Sequence, residues 1–470
     1  MIETIDPTTG EVLERIPLMD GARIDAKLGA AAARANGWAT VPFAERAELL
    51  RAVASRLRSE RDSLAATAVR EMGKPILQAR AEVEKCAWAL EHFAAHGAAM
   101  LTPQPETSSA SRSYVAFRPL GVVLAIMPWN FPYWQVVRAA APALMAGNTM
   151  VLKHAANTTR CALELERLFT SAGAPDGLFG AVVVRGDAMD AIVRDSRIAG
   201  VTLTGSEHAG AAVARAAGES LKKCVLELGG SDPFVVLADA DLGAAASTAV
   251  TARFQNNGES CIAAKRFIIE DSVYDEFLAR FVDAAAKQVV GNPMDDATQI
   301  GPCARADLRE TVSDQVRATV ARGAQLALGG RALDGAGFFY APTIVADVTP
   351  GTRMFDEEVF GPAAAVVRAK ARADALSLAN ASPYGLGSSI WTNDVASAEA
   401  MAAHVEAGAV FINGMVASDP RLPFGGVKRS GYGRELAAFG IREFVNIQTV
   451  WVGPAQAAAP QTQRVTAAAE

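Results

Sequence analysis

Gly121-Val122-Val123-Leu124-Ala125-Ile126-Met127 carries no polar side chain, yet it is far too short to span a bilayer and Pro128 ends it. A strand sends alternate side chains to opposite faces, so a run that is apolar at every position must be covered on both sides. Met150 to Lys153, Ala181 to Val184 and Gly200 to Thr204 are further short apolar runs of this kind. The stretches between them (Tyr133 to Ala146, Thr158 to Ala172, Asp187 to Asp195) have helical spacing. Alternation of this kind predicts an α/β fold with a parallel sheet and right-handed crossovers.

Three helical stretches precede the sheet: Ala22 to Gly37, Ala44 to Arg70 and Leu77 to Met100, the last two separated by Gly73-Lys74-Pro75. After Glu227-Leu228-Gly229-Gly230 the rhythm restarts. Strands are expected at Phe234 to Leu237, Arg266 to Glu270, Ala363 to Val367, Ser388 to Thr392 and Ala409 to Asn413. The expected helices between them are Asp241 to Gln255, Val273 to Val289, Ala304 to Gly323 and Val395 to Val405. A second α/β domain therefore begins near Leu228. Ile441 to Val452 reads as a final strand with an edge in need of a partner.

A chain of 470 residues, half of them hydrophobic, can bury more than one core, and a net charge of −6 argues against a nucleic-acid or anionic-membrane surface as the main partner. No secretory signal or membrane span is expected. Five scattered cysteines make a poor disulfide framework, so a reducing, cytoplasmic setting is expected. No metal-spaced His or Cys cluster is present in the sequence, and no metal is expected.

The candidate chemistry lies in a few short blocks. Cys261 sits in Phe254-Gln255-Asn256-Asn257-Gly258-Glu259-Ser260-Cys261, a turn rich in polar groups, where a thiol can serve as nucleophile. Glu227 ends an apolar strand-like segment beside two glycines. It is either a solvent-facing strand end or a desolvated base able to take a proton from a thiol or from water. Pro128-Trp129-Asn130-Phe131-Pro132 is a rigid turn whose Asn130 amide can hold an oxyanion together with the Cys261 backbone N–H. Gly205 and Ser206, at a strand-to-helix turn, suit a pyrophosphate. Lys153, at another strand end, is either a solvated charge or a ribose contact. Glu358 and Phe360, in Glu357-Glu358-Val359-Phe360-Gly361-Pro362, are either surface groups or contacts to a nicotinamide ribose and ring.

Taken in order, with thirty-four residues from Glu227 to Cys261, these blocks resemble the aldehyde dehydrogenase superfamily from Ile5-Asp6-Pro7-Thr8-Thr9-Gly10 to about Val452. The resemblance implies NAD(P)+-dependent oxidation of an aldehyde to a carboxylic acid through a thiohemiacetal and a thioester on Cys261. Asn130 would stabilise the oxyanion, and Glu227 would activate the hydrolytic water. Trp129, Lys153, Gly205, Ser206, Glu358 and Phe360 would contact the cofactor. It also implies residues 1–110 and 119–228 as a Rossmann-like nucleotide-binding domain and 229–418 as the catalytic domain. Residues 111–118 and 440–452 would form an oligomerisation arm, 453–470 a disordered tail, and the protein a homodimer or homotetramer.

Phe131-Pro132-Tyr133-Trp134-Gln135-Val136, Ala263-Ala264-Lys265-Arg266-Phe267 and Ser418-Asp419-Pro420-Arg421-Leu422-Pro423-Phe424-Gly425-Gly426 are most similar to succinate-semialdehyde dehydrogenase-like members. This implies Arg138, Trp134 and Ser418 as contacts to a substrate with a carboxylate tail. A core ion pair is the other reading of Arg138. Gln255 stands where some members carry an arginine, and Glu259 replaces a more usual glutamine. Ala156 stands where NAD-preferring members place a glutamate that repels the 2′-phosphate, so NADP+ should be accepted and even preferred over NAD+. The competing functions are oxidation of another small aldehyde, a CoA-acylating dehydrogenase, and a binding protein that keeps only the fold.

Overall fold

The computed structural model describes residues 1–453. Two parallel-strand sheets lie in succession along the chain. The first has six strands in the order Gly431–Tyr432, Lys223–Glu227, Ile198–Thr204, Val122–Met127, Thr149–His154, Phe179–Ala181, all parallel but the first. Val122–Met127 is buried throughout: Val123, Ala125 and Met127 pack into one helix-covered core and Val122, Leu124 and Ile126 into another. The two-sided burial expected of that apolar run is thus met by two separate layers. Chain order reverses on either side of this strand, so a crevice opens at the carboxyl ends of Val122–Met127 and Ile198–Thr204.

The second sheet has seven strands, in the order Gln325–Leu328, Thr343–Ala346, Ala363–Ala369, Ala264–Glu270, Asp232–Val236, Gly387–Trp391, Ala409–Ile412. Its central strands also alternate between two cores, with Val235 and Ile268 on one side and Phe234, Val236, Phe267 and Ile269 on the other. Glu227 ends the last parallel strand of the first sheet, and the chain then crosses through Gly229-Gly230 into Asp232–Val236 of the second. Cys261 precedes Ala264–Glu270 at the amino-terminal end of that second sheet.

Several boundaries differ from expectation. The helix expected over Ala44 to Arg70 is two helices, Phe43–Ser59 and Arg61–Met72, broken at Glu60, whose φ of −107° and ψ of 13° leave the helical region. The strand expected at Ala181 to Val184 is instead Phe179–Ala181. The stretch Asp187 to Asp195 starts as a short 3₁₀ turn, Gly186–Ala188, before the helix Met189–Arg194. The hairpin Ile2–Ile5/Val12–Ile16, the edge strand Gln325–Leu328, its neighbour Thr343–Ala346 and the helix Arg372–Asn380 lack a pattern distinct enough to be anticipated.

Past residue 418 the chain returns to the first sheet. Gly431–Tyr432 pairs antiparallel with Lys223–Glu227 and so brings Phe424, Gly425, Arg434 and Glu435 toward Glu227. The final strand, Val445–Val452, pairs with Arg112–Pro119 along its whole length. Its other edge is free, since Val445–Val452 is the outer strand of that small sheet. Of the expected tail, 454–470 lies outside the described residues. Among the described residues no helix is long and apolar enough to cross a membrane.

Candidate active site

The helix Leu242–Phe254 ends in a turn that the sequence marks with Asn256-Asn257-Gly258. All three residues have positive φ: 53°, 60° and 72°. Asparagine tolerates this region because its amide can satisfy nearby backbone. Asn256 Nδ2 donates to the carbonyls of Asn130 and Glu259, both at 2.9 Å. Asn257 Nδ2 donates to Gly73 and Pro302, and its Oδ1 accepts from Gly301 N at 2.8 Å. These amides therefore brace the turn; they are spent on backbone, not on the thiol. At Gly258 a Cβ would stand 2.4 Å from the Gly361 carbonyl oxygen, so only glycine fits.

Two buried cations complete the brace. Arg253 donates to the carbonyls of Gly258 (2.5 Å), Gly361 (2.6 Å) and Ala264 (3.0 Å). Lys265 Nζ donates to the carbonyls of Ser260 (2.8 Å) and Cys261 (2.6 Å) and lies 3.5 Å from Glu358 Oε1. The Ser260–Cys261 peptide is trans, so holding its carbonyl on Lys265 turns the Cys261 N–H the opposite way. Burial pushes the Cys261 thiol up to about 12, against the pull of Arg138 and Lys265.

Asn130 is held on both sides. Its Oδ1 accepts from Gln135 Nε2 at 3.0 Å, and one hydrogen of its Nδ2 goes to the Glu259 carbonyl at 3.0 Å. The second Nδ2 hydrogen is left for a ligand. The loop is anchored from below by Glu82, whose Oε1 accepts from Tyr133 N and Trp134 N and whose other oxygen pairs with buried Lys74. Glu259, which carried no expectation of its own, accepts from Ala304 N at 3.0 Å and ties the nucleophile turn to the following segment.

Glu227 is 2 % exposed, and neither carboxyl oxygen has a hydrogen-bond partner among the described residues. Burial raises its pKa well above the usual carboxylate range; Glu435 raises it further, while Arg138 and Arg434 pull it down. The carboxyl is close enough to Cys261 to raise the thiol's pKa as well. It is thus a desolvated acid and not a solvent-facing strand end. It lies next to Gly425 and lines neither of the two cavities described next; its neighbours Leu228 and Gly229 line the second of them.

One cavity, of about 370 Å³, is lined by Glu82, Lys85, Trp134, Arg138, Ser418 and Phe424 among others, with Cys261 and Gln135 at its inner end. The other, of about 350 Å³, is lined by Trp129, Asn130, Gly205, Ser206, Glu358 and Phe360, again with Cys261 and Gln135. The second sits at the crevice where strand order reverses, beside the amino terminus of the helix Glu207–Glu219. Ser206 caps that helix by accepting from Ala209 N at 3.3 Å, which leaves its hydroxyl hydrogen as a donor. Trp129 and Phe360 pack edge to face at 5.6 Å, and Glu358 accepts from Gly230 N at 3.0 Å. A positive helix end, a flat aromatic wall and a carboxylate fit the pyrophosphate, the nicotinamide and a ribose of a dinucleotide. Lys153 is half-buried on the adjacent strand, outside this cavity wall.

The expected substrate contacts divide. Trp134 and Ser418 line the first cavity. Arg138 lines it too, but its guanidinium is already engaged: it forms a buried ion pair with Glu435, donates to Thr204 Oγ1 at 3.2 Å and stacks over Phe424 at 4.6 Å. The core ion pair is therefore the reading the geometry favours, and Arg138 is not an unpaired carboxylate anchor. Sequence reasoning missed Glu435, Arg434, Lys265, Arg253 and Lys85. Lys85 donates to Ser418 Oγ at 2.8 Å and lies 4.4 Å from the Trp134 ring centre. The available signal was Gln78, Glu82 and Lys85, polar groups at three- and four-residue spacing on the helix Ile76–Met100.

Comparison with known proteins agrees with this geometry. The model of the aldehyde dehydrogenase family matches residues 1–450. The succinate semialdehyde dehydrogenase of Escherichia coli K12, named for NAD(P)+, is 50% identical over 448 residues, covering 95% of this chain and 97% of its own. The succinate-semialdehyde dehydrogenase of Mycobacterium avium, named for NADP+, is 49% identical over 456 residues, 96% of this chain and 97% of that protein. A crystal structure of succinic semialdehyde dehydrogenase from Streptococcus pyogenes with NADP+ superposes with a TM-score of 0.94 at 37% identity, covering 97% of this chain and all of that one (100%). The family model over residues 1–450 and the relatives at about half identity over nearly the whole chain show that this chain belongs to the aldehyde dehydrogenase family.

Proposed function

We propose that this chain oxidises succinate semialdehyde to succinate with NAD(P)+ through a covalent thioester on Cys261. The observation that carries this reading is that Cys261 lines both cavities, the apolar, cation-bearing one and the one shaped for a dinucleotide. A side chain in that position meets an aldehyde from one side and a hydride acceptor from the other.

The chain's own groups divide the work. Glu227 takes the thiol proton, directly or through a water, and the Cys261 sulfur adds to the aldehyde carbon. The resulting oxyanion is held by the free Nδ2 hydrogen of Asn130 and the backbone N–H of Cys261, with Lys265 and Arg253 fixing the turn that presents them. A bound nicotinamide supplies the hydride acceptor that turns the adduct into a thioester. After giving up the first proton to solvent, Glu227 removes a proton from water, the hydroxide adds to the thioester carbonyl and the Cys261 thiolate leaves, and the carboxylic acid is released. A retained, desolvated Glu227 favours water over CoA as the acceptor.

Succinate semialdehyde is supported by the cationic first cavity and by the names of relatives at about half identity over nearly the whole chain. NADP+ is accepted because Ala156, exposed at the start of the turn after Lys153, offers no carboxylate to repel a 2′-phosphate. The free edge of Val445–Val452 makes a homodimer or homotetramer the working form. The five cysteines, all unpaired, suit a reducing compartment such as the cytoplasm.

The test is a steady-state panel of ω-carboxylated and plain aldehydes with NAD+ and NADP+. We expect succinate semialdehyde to have the highest kcat/KM and NADP+ to be at least as good as NAD+. A plain aldehyde preferred over succinate semialdehyde refutes the substrate, and an NADP+ kcat/KM far below that of NAD+ refutes the cofactor reading. A requirement for CoA refutes the hydrolytic route.

A further inference from the structure

Three acids around the first cavity each have a cation of their own. Glu82 pairs with Lys74, Glu435 with Arg138, and Asp419 with Arg421. Lys85 is the cation left over. It stands one turn beyond Glu82 on the helix Ile76–Met100 with its ammonium 4.4 Å from the Trp134 ring centre, and among the described residues the only hydrogen-bond acceptor on that ammonium is the Ser418 hydroxyl, at 2.8 Å. An ammonium has three N–H donors, so two remain, and Ser418, which accepts from Lys85, keeps its own O–H as a third.

We propose that Lys85, with Ser418 as co-donor, recognises the distal carboxylate of the substrate and makes the enzyme selective for ω-carboxylated aldehydes. This rests on the reaction assigned above and adds to it the residue that reads the far end of the substrate. Arg138 supplies background positive potential, because its charge is already offset by the buried Glu435 beside it. The anchor is therefore a point charge over an aromatic face, backed by one hydroxyl.

The position also gives the selectivity a pH limit. Burial, with Arg138 nearby, lowers the Lys85 ammonium to about 8, against the opposing influence of Cys86, Asp419 and Glu82. The cation is present below that pH and lost above it. The substrate carboxylate stays ionised throughout, and kcat/KM reports the free enzyme. Dividing kcat/KM for succinate semialdehyde by kcat/KM for butanal, a neutral aldehyde of the same chain length, cancels the titration of Cys261 and Glu227, which serve both.

The experiment measures this ratio from pH 6.5 to 9.5, with saturating NADP+, in the native enzyme, Lys85→Met and Lys85→Arg. In the native enzyme we expect a high ratio that falls as pH passes about 8. Lys85→Met should lower the ratio at neutral pH by roughly 10- to 100-fold and flatten it. Lys85→Arg should restore a raised ratio that no longer falls, since guanidinium stays charged. A native ratio near one overturns both this proposal and the substrate reading. A high native ratio that persists in Lys85→Met, or that stays flat to pH 9.5 without any variant, overturns the Lys85 assignment alone. Equal losses for both aldehydes in Lys85→Met mark a structural role and overturn it too.

Discussion

Burial raises the pKa of both groups to which we assign proton transfer, the Glu227 carboxyl well above its usual range and the Cys261 thiol to about 12. For an acid with a raised pKa the working anion grows as pH rises, so turnover of a neutral aldehyde should climb with pH and show no plateau near an ordinary carboxylate value. Glu227→Gln should lower kcat by about 10²-fold or more. A variant within tenfold of the native rate, or one that keeps the native pH profile, would remove Glu227 as the base. Asn130→Ala should cost about 10²–10³ in kcat, since it takes away one of two oxyanion donors. A rise in KM with kcat untouched would instead make Asn130 a binding group. Residue types beside glycines and asparagines made Cys261 and Glu227 candidates, and their reading as a reactive pair came from the family resemblance. That Arg138 spends its charge on Glu435 was not legible, because 297 positions separate the two in sequence and only the returning strand Gly431–Tyr432 brings them together.

At the scale of elements, the nucleophile turn is the least replaceable piece of backbone. Gly258 combines a φ of +72° with a 2.4 Å approach to the Gly361 carbonyl. Gly258→Ala should destabilise the fold by roughly 2–4 kcal/mol, read as a drop in Tm, because strain and overpacking add. An unchanged Tm would show that the turn can relax. Long helices and strands with apolar cores followed the sequence pattern closely, since periodicity reports burial directly. The misses were short or edge elements, such as Gln325–Leu328, and the break at Glu60, where no proline or glycine marks the end of a helix. Lys85 escaped notice because it is one of several charged residues on its helix, and only the opposing wall of Trp134 and Ser418 makes its face a cavity lining.

For the molecule as a whole, the free edge of Val445–Val452 is the feature that calls for company. Ile447 and Trp451 on it are 61% and 54% exposed. An eight-residue strand with unpaired N–H and C=O groups and apolar side chains is seldom left open to water. Light scattering should give a mass at least twice that of one chain, and Ile447→Lys with Trp451→Lys should yield the single chain. A native monomer at micromolar concentration would refute the reading of this strand as an assembly edge.

The sequence by itself determined the α/β class, the succession of two α/β units and the turn residues Asn256-Asn257-Gly258, because each is written in local residue types and periodicity, and it made Cys261, Glu227 and Asn130 candidates for the chemistry. The tertiary structure alone decided which charges are spent and which are free. Ion pairing depends on distance in space and burial on what packs above, and neither is a property of neighbours along the chain. Arg138 therefore belongs to Glu435, and Lys85, inconspicuous in its helix, is left facing the substrate cavity.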